Sequence, residues 1–143
     1  MTHQTFNHEC FLAFPHLKEI AAKEFSYMGD QPFGTYMVFE GVLVPEIESA
    51  ASRDPEYLAR LMSFVEEVAQ PGLGTCNDLV QIGLGERLPS MKNSDAIHSA
   101  AGPRTKEAIW RAERYLVHAE RSQNWSPIIS FIRRLTLPRK KRL

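Results

Sequence analysis

Two glycine pairs, five histidines, two cysteines and several neighbouring carboxylates are the residues of this 143-residue chain that could do chemistry. Residues 71–88 read PGLGTCNDLVQIGLGERL, with Gly-Leu-Gly at 72–74 and again at 83–85. A glycine-rich loop holds phosphate by turning backbone N–H groups toward it, and its signature is a third glycine or a following Gly-Lys-Ser/Thr. Neither copy has one, and neither follows a strand of a βαβ unit. Thr75-Cys76-Asn77-Asp78 reads instead as a capping box, a hydroxyl cap with an acid three residues on. Gly83 and Gly85 would then lie in a helix at about 1 kcal/mol each relative to alanine. The expected compensation is close approach of a neighbouring helix, so the stretch reads as a helix start and a packing face.

The histidines, His3, His8, His16, His98 and His118, form no His-Glu-x-x-His pattern or other zinc spacing. In His8-Glu9-Cys10 the candidate ligands are adjacent, and helix geometry points them apart. Cys76 near a helix start could carry a lowered pKa, but no His/Asn partner pattern accompanies it, and a small buried hydrophobe is the expectation. Cys10 and Cys76 stand in no metal or redox spacing, which fits a reduced, cytoplasmic chain. Glu46/Glu48 and Glu66/Glu67 are the candidate acid pairs, yet neighbours on a helix do not converge on one substrate atom. No nucleophile, base and orienter come together. The expectation is no catalytic residue, no metal, no cofactor and no small-molecule substrate.

Helices would position these side chains. In residues 6–25, Phe6, Cys10, Phe14, Leu17, Ala21 and Phe25 recur in steps of three and four, one helical face. Pro15 interrupts it, because proline removes a hydrogen bond and clashes with the preceding turn. A short helix before Pro15 and a longer one from it to about YMGD (27–30) are expected. PFGTYMVFEGVLVPEIESAAS (32–52) has strand-like composition. Tyr36, Phe39, Leu43, Ile47 and Ala50 nevertheless follow helical steps without alternation, so a helix with a kink or restart at Pro45 is expected. Asp54 is a good N-cap, Pro55 suits the first helical position and Glu56 favours the helix dipole. Leu58, Leu61, Met62, Val65, Val68 and Ala69 continue as one apolar stripe, ended by QPGLG. SMKNSDAIHSAAGP (90–103) reads as a loop. A helix from Pro103 to about residue 121 buries Ile109, Ala112, Leu116 and Ala119, with Glu107 and Arg111 paired across one turn. A last helix follows Ser126-Pro127, carries Ile128, Ile129, Ile132 and Leu135, and stops at Pro138.

The totals fit one helical domain over 1–137 with an exposed basic tail, RKKRL, within 138–143. At this length roughly 68–70% of the unfolded chain's surface is buried on folding, enough for a core without a staple. The apolar runs are a few residues long, so no membrane span is expected, and MTHQTFNHECF shows no signal peptide. Net charge is zero, but residues 1–90 hold 5 Lys/Arg against 13 Asp/Glu, and residues 91–143 hold 12 against 4. Either the two halves neutralise one another or two fields of opposite sign steer partners.

TYMVFEGVLVPEI, DPEYLARLMSFVEEVA, TCNDLVQIGLGERL and GPRTKEAI together resemble a family of small all-helical bacterial proteins, over residues 14–115. Its members are similar to immunity proteins encoded beside polymorphic toxins. The resemblance implies an all-α, single-domain antiparallel array of about seven helices, somewhat like HEAT hairpins. It implies, by analogy, an immunity protein that binds a cognate toxin domain and occludes its active site. The expected partner-binding residues are the polar side of the 46–67 helices: Glu46, Glu48, Asp54, Glu56, Glu66 and Glu67. Such an acidic face would complement the basic surroundings of a toxin site that acts on nucleic acid or nucleotides. The alternatives are a helical adaptor, or a nucleic-acid-binding protein using Arg104, Lys106, Arg111, Arg114, Arg121, Arg133, Arg134 and the tail. The near-neutral total and the lack of a reader helix count against nucleic acid.

Overall fold

Prolines set where most of these helices begin. Pro15, Pro55 and Pro103 each open a helix, and Pro45 is the second residue of another. There the missing N–H costs nothing and the fixed φ is already helical. The computed structural model describes residues 1–121, which are helices and connecting turns without a strand. The helices are α1 (Phe6–Ala13), α2 (Pro15–Glu24), α3 (Thr35–Val38), α4 (Val44–Arg53), α5 (Pro55–Val68), α6 (Ser94–Ala100) and α7 (Pro103–Arg121). The expected helix over Ile128–Leu135 with its Ser126-Pro127 cap, the boundary at 137 and the basic tail lie outside the described residues. Met1–Glu113 form one compact unit, and the chain from Arg114 onward belongs to a second.

The all-helical reading of the ambiguous 32–52 stretch holds, with a feature that periodicity alone does not give. α3 and α4 are one continuous helix interrupted by a wide π-turn at Phe39–Leu43. The Val44 N–H reaches back five residues to the Phe39 carbonyl. Pro45 supplies the cause: it has no N–H, and its ring would meet the carbonyl of Gly41 in a regular α-turn. The wider turn relieves both problems and still buries Phe39, Val42 and Leu43.

A second wide turn, Val80–Gly85, packs against the first, closed by the Glu86 N–H on the Gln81 carbonyl at 3.1 Å. Here two expectations separate. The face of Cys76, Leu79, Val80, Gly83 and Leu84 is buried, as expected. The capping box is not formed. The Thr75 hydroxyl turns back to the Gly72 carbonyl at 2.9 Å, and the Asp78 carboxylate is drawn away by His3 and Tyr36. Thr75 therefore closes a turn rather than opening a helix. Both glycines are packing positions: a Cβ at Gly83 would stand 2.5 Å from Phe39 Cδ1, and one at Gly85 2.7 Å from Ala112 Cβ.

The stretch expected as a loop, 90–103, contains α6, whose Ile97 is fully buried. One large apolar residue in two turns shows no period, so only tertiary packing against α4 and α5 reveals this helix. Around it the core is built from Phe6, Leu17, Phe39, Leu43, Ile47, Leu61, Met62, Leu79, Leu84 and Ile109, all buried. Phe6 meets Phe39 and Phe64 at 5.8 and 6.1 Å between ring centroids, and Phe64 meets Phe14 edge-on at 5.6 Å. Cys10 and Cys76 are unpaired members of this core. Burial pushes the Cys10 thiol up to about 12 and raises that of Cys76, so neither is a thiolate near neutrality.

Candidate partner-binding surface

α5 is the element that organises the surface of interest. Asp54 caps it, accepting the Tyr57 N–H at 3.0 Å, and its apolar stripe points inward. Pro55, Glu56, Ala59, Arg60, Ser63 and Glu67 are left as its exposed side. Next to this side Tyr57 gathers a cluster from three helices. Its hydroxyl and His16 Nε2, from α2, share a hydrogen bond of 2.6 Å. Glu46 Oε1, from α4, stands 3.6 Å from His16 Nε2 and 3.4 Å from an Arg53 guanidinium nitrogen. Arg53 and Arg60 lie over the Tyr57 ring, 5.9 and 5.6 Å from its centroid. Burial, then the Glu46 charge, raises the Tyr57 phenol above its ordinary value. It stays protonated and serves as a fixed hydrogen-bonding post.

Beside this cluster α1 and α5 leave an open groove of about 420 Å³, lined by Ala13, Phe14, Ala59, Arg60, Ser63, Phe64 and Glu67. The groove exists because the residues at its lip are small. Ala59 and Ser63 are one turn apart on α5 and line the groove together with Ala13 at the end of α1 and with Phe14 and Phe64. Leu12, next along α1, is 68% exposed. Opposite charges, Arg60 and Glu67, stand on the α5 wall seven residues apart.

The six acidic residues expected to bind a partner divide in two. Glu56 and Glu67 are exposed and Glu48 half-buried, and none of the three makes an ion pair among the described residues. The other three have work inside the fold. Glu46 is held by His16 and Arg53, and Asp54 is a cap. Glu66 is turned to α7: it accepts the N–H groups of Arg104 and Thr105, both at 2.9 Å, and the Thr105 hydroxyl at 2.7 Å. Gly102, before Pro103, has no side chain with which to cap α7, so α5 supplies the acceptor. A Cβ at Gly102 would stand 2.5 Å from Glu66 Cδ, which is why the position is glycine. Burial alone would raise the Glu66 carboxyl; the three donors outweigh it and hold it below the usual range. Glu66 therefore has a structural role at the start of α7.

A second carboxylate-centred cluster lies elsewhere. Asp78 takes a hydrogen bond of 2.9 Å from His3 Nε2 on one oxygen and the Tyr36 hydroxyl on the other. Thr35 Oγ1 donates to the His3 carbonyl at 2.9 Å. Burial would raise Asp78, but Tyr36 and His3 together hold it low, and Asp78 in turn pushes the Tyr36 phenol up to about 12. The cluster fastens the N-terminal segment to α3 and to the turn before Val80. Positions 3, 36 and 78 share no spacing, so nothing in the sequence announces it. The groove left a faint trace there, in small residues at 59 and 63 on the polar side of a strongly patterned helix. Among the described residues no group of three His, Cys, Asp or Glu is placed to hold a metal ion, and no helix is long and apolar enough to cross a membrane. Comparison with known protein families, curated proteins and solved structures finds no match to this chain.

Proposed function

We propose that this chain is an immunity protein: a non-enzymatic, cytoplasmic bacterial binding module that seats on the basic rim of a cognate toxin domain and covers its active site. The observation that carries the reading is the exposed side of α5. Glu56 and Glu67 stand there without ion pairs among the described residues, beside an open groove, in a region (residues 1–90) with 13 acidic residues against 5 basic ones. Uncompensated rim charges of one sign speed association with a partner of the other sign. The resemblance of residues 14–115 to immunity-type proteins agrees with it. In the same reading the helices form an antiparallel, HEAT-like array, to which the sequential pairs α1/α2 and α4/α5 are suited. The interface centres on Glu48, Glu56 and Glu67; Glu46, Asp54 and Glu66 support it from within.

The test is co-purification with the product of the adjacent upstream gene, joined to protection of cells that express it. Glu56→Lys with Glu67→Lys slows association and weakens protection at unchanged melting temperature. If that product is no toxin and no toxin of the genome binds, the chain is a helical adaptor instead. A nucleic-acid reading draws on the exposed Arg104, Lys106 and Arg111 of α7. It requires salt-dependent retention of DNA or RNA by the purified protein.

A further inference from the structure

We propose that the groove between α1 and α5 is the anchor pocket of that interface, and that it takes an apolar side chain of the toxin domain flanked, one helical turn away, by a Lys or Arg that pairs with Glu67. The proposal rests on the immunity reading for the source of the segment and on geometry for its chemistry. At about 420 Å³ the groove falls in the range of roughly 300–1,000 Å³ that holds a bound group. Phe14 and Phe64 line it and are packed edge-on against each other at 5.6 Å between ring centroids, so an entering side chain meets aromatic groups already held in place. Ala13, Ala59 and Ser63 keep the opening clear.

Charge selects the flanking residue. Glu67 is exposed at the lip and makes no ion pair among the described residues, whereas Arg60, also exposed in the lining, is engaged over the Tyr57 ring at 5.6 Å. The carboxylate is the charge on offer, and a cation is what it accepts. An apolar anchor that loses its water on seating, with a charge pair at the rim, is the arrangement in which a few residues carry most of a binding energy.

Two probes test it. The first is the toxin domain itself, measured by surface plasmon resonance against wild type, Ser63→Trp and Glu67→Lys. Both substitutions are at exposed positions, and circular dichroism and melting verify the fold. Ser63→Trp fills the groove from within and is expected to weaken binding about 30-fold or more, mainly through dissociation. Glu67→Lys is expected to slow association several-fold, an effect that fades with salt. The second probe is independent of any toxin: a helical peptide with Leu and Lys four residues apart, against the same peptide with Glu for Lys, titrated into labelled protein by NMR. Shifts at Ala59, Ser63, Phe64 and Glu67 with the Lys peptide alone support the groove. Toxin binding that is unchanged in Ser63→Trp overturns the groove and leaves the immunity reading standing. Failure of wild type to bind any toxin overturns the immunity reading, and the peptide arm then decides the groove: no shifts at millimolar peptide, or equal shifts with both peptides, overturn it.

Discussion

Replacing Glu66 by alanine should cost far more stability than an ordinary helix-surface substitution. The carboxylate accepts the N–H groups of the second and third residues of α7 and the hydroxyl of Thr105, which is fully buried. Loss of a helix cap costs about 0.5–2 kcal/mol. A buried donor left without a partner costs about 1–3 kcal/mol. These overlap at one site, so the expected sum is about 2–4 kcal/mol. At about 2.1 cal/mol/K per residue of unfolding entropy, that lowers the melting temperature by roughly 7–13 °C. Glu66→Gln keeps an acceptor but turns an NH2 toward a second donor, and should lose about half as much. The pH dependence supplies an internal control. Glu66 is depressed in the folded state, so its contribution is complete above the unfolded value of about 4.3 and is lost as pH falls toward the lower folded value. The gap between wild type and Glu66→Gln should therefore be constant from pH 5 to 7 and close in acid. Urea unfolding followed by circular dichroism at several pH values measures it. A Glu66→Ala protein within about 0.5 kcal/mol of wild type, or a gap that widens in acid, refutes the reasoning.

Gly83→Leu should destabilise the fold by about 1–3 kcal/mol or prevent folding, because its Cβ would already meet Phe39 at 2.5 Å. ATP and dinucleotides should leave the wild-type melting temperature unchanged, since the Gly-Leu-Gly repeats are turn and packing positions; clear stabilisation would contradict this. Both cysteines should resist Ellman's reagent in the native protein at pH 8 and react together in denaturant, as expected of fully buried thiols with raised pKa. Rapid modification of one in the native state would place it outside the core.

The elements that a sequence reveals are those in which local preference and burial agree. In α5 the Asp54-Pro55-Glu56 start and the stripe from Leu58 to Val68 both say helix, and cap and core are found where they were expected. α6 was hidden because Ile97 is its one buried residue, a pattern too short to have a period. Thr75 and Asp78 carried the right types for a capping box, but Asp78 had better partners at His3 and Tyr36, far away in sequence. Carboxylates were the hardest to assign. Glu66 and Glu67 are neighbours of identical type, yet one caps a helix 38 residues away and the other faces solvent. Helical phase suggests which way each points; only the fold shows that Gly102 has left room for one of them.

The paired wide turns have a consequence for how chain length can vary. Removing one residue from a regular α-helix turns everything beyond it by about 100°, which swings the buried stripe toward solvent. A π-turn already contains one residue more than an α-turn, so losing a residue there converts it to ordinary helix and leaves both flanks in phase. Among the described residues Val80–Gly85 is thus a place in the core where a one-residue deletion is absorbed within a turn, whereas the same loss in Phe39–Leu43 would bring the Pro45 ring back against the carbonyl four residues before it. Because Phe39 of one turn lies against Gly83 of the other, a length change in either alters the space its partner must fill. Related chains that shorten the first turn should then lose the proline at position 45 as well, with the residue at position 83 growing as Phe39 withdraws.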